Sequence, residues 1–270
     1  MARNFRPTRP APRSAPRTAW GWAWAGALAG VLPAVVAFAP AHWLAGGVAR
    51  ATQGQVQLLQ PRGTVWTGSA QLVLTGGQAS KDSAALPGRV DWQLRPTWGG
   101  LRARLQAGCC TPEPLQAQVH LRWAGPQITL ADGQSQWPAA LLAGLGTPWN
   151  TLQPQGQLAL QTRALAVQWA AGRMVLSGQA QLDARAMSSR LSTLRPMGSY
   201  RLVLQGGEVP TLALSTLDGA LQLSGSGQWV GNRLRFAGEA SAAPEREAAL
   251  SNLLNIIGRR NGARSIITVG

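Results

Sequence analysis

Beyond residue 60 the chain alternates apolar and polar positions with a period of two. The runs are Thr64 to Leu74, Arg89 to Arg95, Leu115 to Trp123, Gly156 to Gln161, Met174 to Leu182, Ser199 to Gln205, Ala220 to Gln228 and Arg233 to Ala240. Gly76-Gly77, Pro87-Gly88, Ala171-Gly172, Gly206-Gly207 and Gly231-Asn232 punctuate them, as turns punctuate antiparallel strands with one solvated face. A Trp-headed unit, Trp169 to Gly172 followed by Met174 to Ala180, recurs as Trp229 to Gly231 followed by Leu234 to Ala240. Repeated hairpins predict a mainly β chain: an elongated, twisted antiparallel sheet or half-barrel.

Two stretches abandon the alternation. Trp137 to Gly144 opens with Pro138 and ends on glycine, which predicts a short mid-chain helix. Pro244 to Gly258 places Leu250, Leu253, Leu254 and Ile257 on one helical face behind Glu245 and Glu247, which predicts a C-terminal amphipathic helix. Its stripe either caps the sheet or binds a partner. Arg264 to Val269 then returns to strand character.

The N-terminal end follows neither period. Trp20 to Leu44 contains no Asp, Glu, Lys or Arg, and a run of roughly 20 apolar residues suffices to cross a bilayer core. Trp20, Trp22 and Trp24 at one end and Trp43 at the other suit membrane-interface anchors. A cleaved signal peptide and a buried core helix are the competing readings, and the length of the run favours an uncleaved transmembrane helix. The expected division is a cytoplasmic Arg/Pro-rich tail (1–19), a single transmembrane helix (20–45) and a periplasmic β domain (46–270). Arg3, Arg6, Arg9, Arg13 and Arg17 keep the tail in the cytoplasm by the positive-inside rule.

Charge changes this picture little. The formal net charge is +15, but only 13% of residues are charged, and most arginines outside the tail are scattered singly along strand-like runs. Without a basic helix or an aromatic stacking platform, nucleic acid is not an expected partner. Acid–base and nucleophilic catalysis need convergent titratable groups. His42 and His120 stand apart, Asp and Glu total 10, and no phosphate loop or nucleophile elbow occurs. The chain therefore reads as no enzyme, with no cofactor, no metal and no small-molecule substrate. Cys109 and Cys110 are the only cysteines and are adjacent. An oxidising compartment allows a strained disulfide between them, free thiols, or a bridge to a partner.

Five blocks carry a resemblance: Gly63 to Gly68, Leu86 to Leu94, Trp137 to Leu152, Ser189 to Arg201 and Leu250 to Arg260. With the N-terminal apolar segment, they resemble protein N of the type II secretion system, over nearly the whole chain from about residue 20. The resemblance implies an inner-membrane subunit of the machine that exports folded proteins across the outer membrane. Other secretion subunits and inner-membrane lipid are then its partners, and no catalytic residue carries over. Exposed Gln- and Gly-rich strand edges are candidates for β-augmentation by a neighbour. A periplasmic lipid-handling protein with an apolar β groove is the alternative class.

Overall fold

The computed structural model describes residues 19–77, 80–122, 125–170, 173–231 and 233–270. The arginines of the N-terminal tail and the turn residues Ala171, Gly172 and Asn232 lie outside the described residues. The chain divides into two units, the second running from Pro40 to Gly270.

In the first unit, α1 (Ala19–Ala37) carries Pro33 within it and exposes Trp20, Trp22, Trp24, Leu28, Val31, Leu32, Val35 and Val36. The single helix expected over 20–45 does not form. Pro40 lacks an N–H and disfavours helical backbone at the residue before it, so α1 stops and α2 (Ala41–Ala51) starts afresh. Among the described residues no helix is long and apolar enough to cross a membrane.

The second unit is built on one 16-stranded sheet, and every described pairing in it is antiparallel. The strands are β1 (Val56–Gly63), β2 (Thr67–Thr75), β3 (Ser83–Ala85), β4 (Val90–Thr97), β5 (Gly100–Ala107), β6 (Leu115–Arg122), β7 (Gly125–Leu130) and β8 (Gly133–Pro138). A 3-10 helix (Ala139–Leu145) and α3 (Trp149–Leu152) interrupt them. There follow β9 (Gln155–Ala170), β10 (Arg173–Ser188), β11 (Gly198–Gln205), β12 (Thr211–Gly219), β13 (Leu221–Val230), β14 (Arg233–Ala242), α4 (Glu247–Ile257), β15 (Arg259–Asn261) and β16 (Arg264–Val269). Spatial order follows chain order almost throughout, with β3 and β8 lying beside β2 and β9 off the main path. The path ends at β1 and β15, so the sheet is open.

Register collects the alternating apolar residues on one face. Leu94, Ala103, Ala117 and Leu130 stand opposite one another on β4 to β7, as do Leu160, Leu182, Leu202 and Leu214 on β9 to β12. Three helical segments cover parts of this face. Ala41 and Leu44 of α2 pack on Leu58, Ala70, Trp92 and Leu94. Leu141 of the 3-10 helix packs with Leu86, Val90 and Ala107. Leu250, Leu253 and Leu254 of α4 pack with Tyr200, Leu221 and Ala240. The stripe of α4 thus caps the sheet.

The two Trp-headed repeats occupy equivalent places, with Trp169 opposite Met174 at one hairpin and Trp229 opposite Leu234 at another. Two other expectations shift. α4 begins at Glu247 rather than Pro244, because Glu245 turns left-handed at φ 66°. The short mid-chain helix forms with the tighter 3-10 winding.

Candidate interaction surfaces

Each sequence-derived candidate has a definite place. Trp20, Trp22 and Trp24 belong to α1, whereas Trp43 belongs to α2 in the second unit, 53% exposed. Cys109 and Cys110 form a disulfide in the β5–β6 turn, their Cα atoms 3.7 Å apart. Cys110 is buried beside Leu86 and Leu141, while Cys109 faces outward. Thr111 tightens this turn, accepting the Ala107 N–H at 2.8 Å and donating to the Ala107 carbonyl at 3.1 Å.

The strongest polar cluster lies on the sheet face opposite α4. Asp183 on β10 stands directly across from Arg201 on β11. The guanidinium grips both carboxylate oxygens, Nε to Oδ1 at 2.7 Å and Nη2 to Oδ2 at 2.8 Å. Gln181 donates to Oδ1 at 3.1 Å, and Arg185 approaches Oδ2 at 3.5 Å. The Arg201 hydrogen bonds hold the Asp183 carboxyl below its ordinary range against the opposing effect of burial, with help from Gln181 and Arg185. Both carboxylate oxygens are engaged by the guanidinium, so the cluster pins the β10–β11 register instead of offering a base. No single-strand pattern marks this pair, because its partners are 18 residues apart and meet only through register.

Other titratable groups do not converge. Tyr200 is buried, its hydroxyl has no hydrogen-bond partner among the described residues, and burial, reinforced by the Asp218 charge, pushes its pKa up. His120 Nε2 lies 3.3 Å from Gln118 Oε1. Among the described residues no group of three or more His, Cys, Asp or Glu could hold a metal. A polar cleft of about 550 Å³ between Glu113, Asp132, Gln161 and Arg163 serves structure: Asp132 Oδ1 accepts the Ala164 N–H at 2.6 Å, holding the β9 bulge where Ala164 turns left-handed.

What remains are faces and edges. On the apolar face, Leu212, Phe236 and Val269 line an open groove of about 740 Å³ at the β12–β14 end, rimmed by Arg235 and Gln228. Phe236 lies over Gly225 and Gly238, where a methyl group at either glycine would strike its ring. Both sheet edges carry features that resist casual pairing. β1 has Pro61, a bulge between Leu59 and Arg62, and α2 packed along it. β15 is three residues long with Arg259 and Arg260 exposed. β16 runs on beyond β15, so Ile267, Thr268 and Val269 have no described strand on their outer side.

Against known proteins, the family described as Type II secretion system (T2SS), protein N matches residues 54–267, which spans β1 almost to the end of β16. No curated protein and no solved structure matches the chain.

Proposed function

The chain belongs to the family of type II secretion system protein N, and from that premise we propose that it is a non-enzymatic inner-membrane subunit of the secretion machine. Its N-terminus lies in the cytoplasm and its sheet domain in the periplasm, where it contacts other secretion subunits. The observation that carries the reading is the family match along the whole meander, 54–267.

The other parts have physical support. The stretch from Trp20 to Val48 carries no Asp, Glu, Lys or Arg, and the side chains of α1 are turned outward as apolar surface. We take the apolar stretch from Trp20 to Ala39 as the membrane anchor, with the arginines before it left on the cytoplasmic side, since Ala41 and Leu44 of the expected 20–45 segment pack on the sheet. A disulfide at Cys109–Cys110 suits an oxidising compartment. Subunit contact falls to surfaces that the chain leaves open, chiefly the outer edge of β16 at Ile267 to Val269, where a strand from a neighbour can add. A filled apolar core under α4 and the 3-10 helix supports a scaffold over a continuous acyl-chain channel.

Deletion of the gene, with the titre of a secreted enzyme as readout, tests the role: secretion should fall, and an unchanged titre overturns it. A photo-crosslinker at Thr268 should capture another secretion subunit in intact cells. A C-terminal reporter active only in the cytosol would overturn the topology.

A further inference from the structure

Three neighbouring hairpins end at one level of the sheet. Register runs across β4 to β10 through Thr97, Gly100, His120, Gln127, Gln168 and Val175. Beyond that line Trp98 in the β4–β5 turn (104% exposed) and Leu121 near the end of β6 (73%) face solvent, and Trp169 of β9 and Met174 of β10 are partly exposed. Trp98 and Leu121, the two that the proposal uses, bury little or nothing in this chain. Just behind the line the polar face carries Arg95, Arg102 and Arg104. Arg95 and Arg102 stand directly opposite each other, an unfavourable like-charge pairing. None of the three has a carboxylate partner among the described ion pairs. Gln93 completes their shallow polar recess.

We infer that this turn rim docks on the surface of an anionic lipid bilayer, with Trp98 and Leu121 entering the interface and Arg95, Arg102 and Arg104 binding lipid phosphates. The spacing fits: Arg95 and Arg102 are level with each other, and Arg95 lies three residues from Trp98, about 10 Å along a strand. An interfacial layer roughly 5–8 Å thick, plus the reach of an arginine side chain, brings aromatic ring and guanidinium to their preferred depths together. Charge complementarity selects the occupant. Three guanidiniums with no carboxylate partner among the described residues attract phosphates of anionic lipid, and that attraction relieves their mutual repulsion.

Chain connectivity gives an independent argument. Pro40, the first residue of the second unit, bridges to Thr64 in the β1–β2 turn. The Leu94 N–H donates to the Trp66 carbonyl, so that turn lies towards the same end of the sheet as the β4–β5 turn, three residues short of Thr97. The chain therefore enters the sheet domain at the rim end. The connectivity argument rests on the anchored reading above, which also sets which bilayer the rim meets; the exposed apolar residues and the arginines stand without it.

The test uses the full chain reconstituted in lipid nanodiscs, with a fluorophore on the introduced cysteine of Thr97→Cys. This site is exposed beside Trp98 and leaves the proposed contacts intact. A matching label on Glu113→Cys, in the turn at the opposite end of β5, is the control. Discs contain spin-labelled lipid in either phosphatidylcholine alone or a mixture with phosphatidylglycerol. Quenching at Thr97→Cys should exceed that at Glu113→Cys several-fold in the anionic discs. It should fall at least threefold in phosphatidylcholine, or when Arg95→Glu and Arg102→Glu are combined. Disc-bound protein unquenched at Thr97→Cys overturns the rim while leaving the anchor standing. Failure to co-purify with discs at all overturns both. Equal quenching at the two labels, or quenching indifferent to lipid charge and to the arginines, also overturns the inference and leaves the rim to a protein partner.

Discussion

Replacing Leu254 by alanine tests whether α4 is a structural cap of the sheet or a separable helix held in reserve for a partner. Leu254 is wholly buried with Leu250 and Leu253 against the sheet. The substitution removes three carbons, worth about 0.8 kcal/mol each in transfer, or roughly 2.4 kcal/mol. The space left cannot close fully, because α4 is tied into the chain towards both ends: Ser192 donates to the Ala249 carbonyl at 3.1 Å, Ser265 donates to the Leu254 carbonyl at 2.6 Å, and β15 follows directly. The cavity raises the expected loss to about 3–4 kcal/mol, within the measured span for buried leucines. Ile256 on the same helix is 46% exposed, so Ile256→Ala changes helix composition similarly without opening a core. That control should cost about 1 kcal/mol or less. Urea unfolding of the full chain in non-ionic detergent, followed by tryptophan fluorescence, reads both variants. Equal losses, or a Leu254→Ala loss below about 1 kcal/mol, would refute the packing argument.

Three further expectations use the same assay. Asp183 has a native pKa below its usual value, so its stabilisation is complete above about pH 4 and is lost as pH falls through the lower native value. Asp183→Asn should therefore cost about 2 kcal/mol at pH 7, and the difference from the parent should vanish in strong acid; a pH-independent gap would contradict the ion-pair account. Tyr200→Phe removes a buried hydroxyl with no partner among the described residues, so stability should hold or rise by about 1 kcal/mol, and a loss of that size would show a hydrogen bond at that oxygen. Gly178→Ala should destabilise by at least about 1–2 kcal/mol, since φ is +81° and the new methyl meets the Ala164 carbonyl oxygen; a neutral result would mean that the β9–β10 bulge relaxes freely.

Local pattern carried far into this protein. Arg264 to Val269 forms β16 with those bounds, the stripe of Leu250, Leu253 and Leu254 predicted the buried face of α4, and the Trp169 and Trp229 units sit at matching hairpin ends. These features depend on a side chain's alternation or helical period, which neighbours in sequence set. Some strands were missed despite a legible pattern: Gly100 to Ala107 alternates Leu101, Ala103 and Leu105 with Arg102, Arg104 and Gln106. Thr211 to Gly219 alternates less evenly, and its ladder to β13 is interrupted where Thr216 Oγ1 takes the Leu223 N–H.

The amino-acid order by itself determined the mainly β character, the apolar N-terminal segment, the capping helix and the five blocks of family resemblance. Only the tertiary structure decided which strands are neighbours, that the sheet stays open with β1 and β15 as its ends, and that the apolar stretch over 20–45 divides at Pro40. It also set Asp183 against Arg201 and Arg95 against Arg102, one pair satisfied and the other repelling. Alternation is written in adjacent residues, whereas register joins residues far apart in the chain. Slipping a strand by one position would reverse its faces, so the meeting of charges across strands is a property of the assembled sheet.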